Sequence, residues 1–287
     1  MIKKYWLRFI VILFAVLSVL TGLLYLGWSN TVGLTLAAGL HLPALEVNQT
    51  KFTVTDVMAD IKAINTAPDT KDLTVEEKNA VLGDKLKQEG VINSLVRELK
   101  LEIHSSDISD LQRQLLTGAD AKSLSEAQVR QTFGYSLKDF TKRVAIPYYN
   151  RLQLQKYFIL NTDNDDKAKI SKLRELVIKQ PEDFDTKAKE LSGQDPLEHI
   201  VLASDLTGDY AHISSLPIGG ISAIVANADG YRLYRVINII SDDKQGTYYQ
   251  LHELFVPTTI FQQKLNEALA KVTEHWYIKK PQVIAVR

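Results

Sequence analysis

The sequence predicts an α+β protein with an N-terminal transmembrane helix, a helical domain, and a small antiparallel sheet packed with helices. Three observations predict it. The run Phe9–Trp28 is apolar and uncharged, and the middle of the chain repeats apolar residues at helical spacing. The stretch Leu216–Ile240 alternates with a strand-like period around a glycine-containing turn.

Composition narrows the possible functions. Lysine plus arginine and aspartate plus glutamate number 34 each, so neither nucleic acid nor an acidic partner is indicated. Cysteine is absent, which excludes disulfides, thiolate zinc sites and cysteine nucleophiles. A chain of 287 residues suffices for an anchor and one or two domains.

Residues 1–30 read as a cytoplasmic stub and anchor. Lys3, Lys4 and Arg8 precede the apolar run, and Trp6, Tyr25 and Trp28 flank it as an aromatic belt would. About 20 residues rising ~1.5 Å each span the ~30 Å hydrocarbon layer. The basic flank predicts a single-pass protein of the cell membrane, N-terminus in the cytoplasm and bulk outside. A cleaved signal peptide would have a shorter apolar core and an Ala-x-Ala-like site, which Ala37-Ala38-Gly39 matches poorly.

Residues 46–160 read as a helical domain. Glu46–Asp60 is a short strand running into a helix, and Thr53-Val-Thr-Asp56 is a capping-box pattern for that helix start. Beyond a polar link at 65–74, Val75–Leu99 is helical through Leu82, Leu86, Val91, Ile92 and Val96, with a kink expected at Gly90. Ser125–Phe133 is a short helix that Gly134 ends in a left-handed conformation. Ser136 and Asp139 cap the long helix Leu137–Ile159, which Pro147 bends.

Residues 167–287 read as the sheet-containing domain, after a polar hinge at Asn161–Asp166. The hinge carboxylates lack the glycine turn and terminal glutamate of a calcium loop. Lys167–Gly193 gives two helices around Pro181. Ser222–Val225 and Tyr231–Ile240 are strands joined by Asn227-Ala-Asp-Gly230, with Tyr231, Leu233 and Arg235 on one face and Arg232, Tyr234 and Val236 on the other. Tyr248–Val256 is a further β-rich run, followed by the helix Ile260–Val272.

Two stretches resemble known families. Leu216-Pro-Ile-Gly219-Gly220-Ile221-Ser222, a turn, then Gly230-Tyr231-Arg232-Leu233-Tyr234-Arg235-Val236 resembles the end of parvulin-type peptidyl-prolyl isomerases. Glu46–Phe158, with Gly134-Tyr-Ser136-Leu-Lys-Asp139-Phe140 before its last helix, resembles the N-terminal chaperone domain of the SurA, PpiD and PrsA folding factors. The parvulin histidine that follows Gly-Tyr is Arg232 here, and no histidine-bearing first strand precedes Lys167. Tyr248–Val256 carries His252 at the matching place. The resemblance therefore implies a rebuilt sheet with Tyr248–Val256 beside Tyr231–Ile240. It implies His252 as the catalytic candidate, and Tyr231, Leu233 and Phe255 as substrate-binding residues.

Other chemistries find no support. The six histidines show no zinc spacing, and the sequence holds no Gly-x-Ser-x-Gly elbow, phosphate loop or dinucleotide fingerprint. Neither a metal nor a cofactor is expected. The expected function is that of a membrane-anchored extracytoplasmic holdase for unfolded or nascent exported polypeptides. Two alternatives stay open: an active parvulin-type prolyl isomerase, and an envelope scaffold with one dedicated partner.

Overall fold

The computed structural model describes residues 38–39, 41–117, 123–242 and 246–278. The expected transmembrane segment Phe9–Trp28 lies outside them. Among the described residues no helix is long and apolar enough to cross a membrane; the longest, Val75–Glu98, has 24 residues but nine of them are charged. The expected fold is corrected accordingly. The described chain is α+β with two small antiparallel sheets rather than one, and without a membrane-spanning helix.

Two compact units divide the chain. One takes the described residues up to Arg151 together with those from Glu267 onward, and the other is Leu152–Asn266. The described residues from Glu267 onward thus group with the first unit.

In the first unit, β1 (Pro43–Val47) pairs with β2 (Thr50–Thr53) on one side and with β7 (Glu274–Trp276) on the other. Asn48 and Gln49 between β1 and β2 have φ of 44° and 68°, the pattern of a two-residue hairpin turn that favours Asn and Gly. The Asn48 side-chain oxygen accepts hydrogen bonds from the backbone N–H (2.9 Å) and hydroxyl (3.1 Å) of Thr273. The returning chain therefore holds a turn in which Gln49 stands where glycine would be easier.

Local signals start the helices. α1 (Val54–Thr66) begins in a capping box: the Asp56 N–H donates to the Thr53 hydroxyl, and the Asp56 carboxylate accepts from the Thr53 N–H. Thr74 and Glu77 do the same for α2 (Val75–Glu98). Helix α2 runs unbroken through Gly90, where a Cβ would lie 2.4 Å from the Val47 Cβ. Glycine there serves close packing on β1 and makes no kink. α3 (Ser105–Leu115) and α4 (Glu126–Phe133) follow, and Gly134 ends α4 at φ 75°.

α5 (Leu137–Phe140) passes through a π turn, Thr141–Ala145, into α6 (Ile146–Asn161). Pro147 has no N–H to give the Arg143 carbonyl. The Ile146 N–H bonds back to the Thr141 carbonyl, and Lys85 Nζ donates to the Arg143 oxygen at 3.3 Å. The turn directs Arg143 inward, where its side chain is 3% exposed. Its guanidinium reaches Asp60 (Nη2–Oδ2, 2.6 Å) and Glu89 (Nη1–Oε1, 2.6 Å). Lys85 bridges the same two carboxylates, and the Tyr135 hydroxyl donates to Asp60 at 2.8 Å. Two acids face two bases, so no net charge is buried.

In the second unit, α7 (Asp165–Lys179) and α8 (Phe184–Ser192) precede a sheet of order β3-β6-β5-β4. Its strands are β3 (Leu197–Leu202), β4 (Val225–Asn227), β5 (Gly230–Asp242) and β6 (Gly246–Pro257), all antiparallel to their neighbours. α9 (Ile260–Leu269) follows. β6 lies beside β5 with Tyr231 opposite Val256 and Arg235 opposite His252, the adjacency that a rebuilt sheet requires. One sheet face packs Tyr231, Leu233, Leu254 and Val256 against Ile170, Leu173, Phe184 and Ala188 of α7 and α8. The other buries Tyr234, Val236, Tyr249 and Leu251 beneath Leu206 and Ile213.

Removing one partner from the buried ion network leaves opposite charges uncompensated. Arg143→Ala is expected to cost about 3–5 kcal/mol of unfolding free energy, measured by urea denaturation. A cost under about 1 kcal/mol, the range of an exposed pair, would show the network to be energetically slack.

A second expectation concerns acid. Burial pushes the Asp56 carboxyl up, but the Lys142 ammonium at 2.5 Å and the Thr53 hydrogen bonds outweigh it and leave the group below its ordinary 3.8. A carboxyl lowered in the folded state contributes stability above its unfolded value and loses it as pH falls through the folded value. Lys142→Ala should lower stability at neutral pH and flatten the decline below 3.8. An acid titration of stability identical to that of the wild type would remove this pair from the account.

Candidate functional site

The sheet face turned away from α7 and α8 carries a cavity of about 340 Å³. Strand alternation assembles it, because β3 sends His199 and Val201 to this face, β6 Leu251 and Glu253, and β5 Arg232 and Tyr234. Two 3₁₀ segments, Ala203–Asp205 and Gly208–Ser215, add Asp205, Tyr210 and Ile213, and Leu206 between them closes the apolar side. The second segment is tied down by the Tyr249 hydroxyl, which donates to the Ser214 carbonyl at 2.6 Å. Val201, Leu206, Ile213 and Leu251 form apolar walls over a polar floor of His199, Arg232, Tyr234 and Glu253.

The charges of that floor are largely paired with one another. The Arg232 guanidinium forks onto both oxygens of Asp229 (2.7 and 2.8 Å), and its Nε donates to Glu253 Oε1 at 3.2 Å. It lies 4.3 Å above the Phe255 ring, a cation–π contact. Hydrogen bonding from Arg232 holds the Asp229 carboxyl below the usual carboxylate range. The second Glu253 oxygen is 3.1 Å from His199 Nε2, although the two are not aligned as a hydrogen bond. The Asn227 side-chain oxygen accepts from the Tyr210 hydroxyl (2.5 Å) and from Arg232 (3.2 Å). Burial, followed by the negative charge of Glu253, pushes the Tyr234 hydroxyl far above its ordinary value, so it remains a hydrogen-bond donor.

A second concavity of about 570 Å³ shares Asn227 and Arg232 with the first and extends to Leu152, Gln153 and Lys156. Its Lys156 pairs with Asp209 at 3.0 Å.

The residues singled out in the sequence do not converge on the cavity. His252 lies on the opposite, helix-covered face, with Nδ1 2.7 Å from Asp185 Oδ1 and Arg235 3.6 Å from the other Asp185 oxygen. Tyr231 and Leu233 are in the core of that same face, 1% and 0% exposed. The Tyr231 hydroxyl donates to the Ile159 carbonyl (3.0 Å) and accepts from the Asn164 amide (2.8 Å). Phe255 is on the cavity side of the sheet, where it supports Arg232. The cavity instead uses His199, Tyr234 and Glu253. The alternation of β5 had placed Arg232 and Tyr234 together, while Glu253 is the pleat neighbour of the histidine chosen from the motif.

Among the described residues no three His, Asp or Glu side chains are grouped to hold a metal ion. No protein-family model matches the chain, and no curated protein matches its sequence.

The burial of Tyr231 leads to a specific expectation. Tyr231→Phe should cost about 1–3 kcal/mol, because the Asn164 amide and the Ile159 carbonyl lose their buried partner. Urea denaturation measures the cost. A direct role in ligand binding would instead show as weaker binding at unchanged stability.

Proposed function

We propose that the chain is an extracytoplasmic protein-folding factor, a holdase that binds unfolded or nascent exported polypeptide through the cavity above β3, β5 and β6. The observation that carries this reading is the combination of apolar walls with a floor whose charges are already paired. Such a surface accepts varied side chains and leaves them little polar demand to meet. The resemblance of Glu46–Phe158 to SurA-like chaperone domains, and of Leu216–Val236 to parvulins, supports the same reading. Placement in the envelope rests on the sequence alone, on the uncharged run Phe9–Trp28 behind Lys3, Lys4 and Arg8.

Prolyl isomerisation is the second reading, favoured by a specific feature. The cavity sets an apolar wall beside a fixed donor, Tyr234, and the carboxylate of Glu253. Rotation about a prolyl bond crosses a barrier of about 20 kcal/mol, and a desolvating wall with a hydrogen bond to the twisted amide would lower it. His252 has no part in either reading, since it faces the helices.

The full chain should suppress aggregation of an unfolded protein without accelerating Xaa-Pro isomerisation in an unstructured peptide. Val201→Asp, on the half-buried cavity wall, should weaken peptide binding about tenfold through loss of apolar contact and charge burial. His252→Ala should leave it unchanged. Catalysis that disappears in Tyr234→Phe and Glu253→Gln would transfer the assignment to an isomerase. Absence of both activities would favour an envelope scaffold.

A further inference from the structure

The strand that lines one side of the cavity is also an edge of the sheet. β3 pairs with β6 along its whole length, from Leu197 opposite Glu253 to Leu202 opposite Tyr248, and among the described residues no strand lies on its outer side. Leu197 and Ile200 are 59% and 66% exposed, among the most exposed large apolar side chains of the described residues. Of the usual protections of an open edge, β3 carries one carboxylate, Glu198, which accepts from the Gln250 amide, and it has no lysine, no proline and no bulge. The opposite edge, β4, is only three residues long. The open edge is therefore the one beside the cavity.

We propose that the free edge of β3 is the docking strand for the client, an extended polypeptide segment with apolar residues at alternate positions that joins the sheet as an outer strand. This rests on reading the cavity as a polypeptide site. Backbone hydrogen bonding along an edge is independent of sequence and suits unfolded clients. A strand added about 4.8 Å outside β3 sends alternate side chains to the face on which His199 and Val201 stand. Those side chains reach the mouth of the cavity. The others lie beside Ile200 on the opposite face. The continuity of this edge with the cavity, through His199 and Val201 of the same strand, points to a client segment as its occupant.

The test uses the full chain and a synthetic peptide with alternating valine and threonine around one Xaa-Pro bond, together with two N-methylated forms of it. One form blocks the N–H groups of odd residues and the other those of even residues. In strand addition only one of these sets faces β3, so one form should bind about tenfold or more weakly and the other nearly as well as the parent. Hydrogen exchange of alternate β3 amides should slow on binding, and Ile200→Lys, at an exposed position outside the cavity, should weaken binding. If both methylated forms bind like the parent, with Tyr234 and Leu251 perturbed, the cavity reading stands and the edge proposal falls. Slowed β3 exchange that follows protein concentration without peptide would assign the edge to a second copy and overturn the proposal. A peptide that fails to bind at all overturns both.

Discussion

The antiparallel ladder between β5 and β6 is the constraint on which the second unit depends. It runs from Gly230 opposite Pro257 to Asp242 opposite Gly246, with one irregularity between Val236 and Asn238. Because side chains alternate, a slip of one residue in either strand would move its whole set of side chains to the other face. Leu254 would then face the cavity while Glu253 met Phe184 and Ala188. Burying an unpaired carboxylate in that core costs far more than any contact the slip could gain. The start of the ladder is fixed sterically. A Cβ on Gly230 would lie 2.3 Å from the Val256 carbonyl oxygen, so only glycine lets the strands approach there.

In the first unit the Arg143 network has a different logic. Its carboxylates come from α1 and α2 and its arginine from the π turn, so it reports whether three separate segments have reached their places. Burial pushes the Glu89 carboxyl above its ordinary range even beside Lys85 and Arg143. The desolvation cost is thus visible in the group itself, and the network is a weak source of net stability. Its contribution is to penalise alternatives. An α-helical path through 141–145 would turn Arg143 away from Asp60 and Glu89, and Lys85 would lose the carbonyl that Pro147 leaves unpaired.

Much of this was legible in the sequence, and the legible part was local. Thr53 with Asp56, Ser125 with Gln128, and Ser136 beside Asp139 are contained within one turn each, and the left-handed end at Gly134 is local too, although a Cβ there would also lie 2.5 Å from Ala63 Cα. The face assignments of β5 followed from the pleat. The failures all involve distance along the chain or phase across it. β7 has three residues, too few for a periodic signal, yet it completes a sheet with β1 more than two hundred residues earlier. The π turn arises from Pro147 and from the partners waiting for Arg143, which no local pattern encodes. His252 was chosen by its place in a motif, whereas the pleat of β6 decides the face, and Glu253 is the residue that reaches the cavity. His199 sits in an edge strand whose exposure conceals its alternation.

Arg232 sets the character of the site. An arginine is protonated at any physiological pH and its planar fork demands two acceptors. Asp229 supplies both from the turn that leads into β5, and Glu253 takes the remaining Nε. The centre of the floor is therefore a fixed ionic strut, braced from below by Phe255. A strut of this kind cannot pass a proton, but it holds β4, β5 and β6 in register at the place where the cavity needs a firm base. The Tyr234 hydroxyl is itself hydrogen-bonded to Glu253 and the second Glu253 oxygen faces His199, so what meets a ligand is chiefly the apolar wall. Shape and desolvation then dominate binding, and selectivity for particular side chains is weak. That is the property the proposed binding of unfolded chains requires.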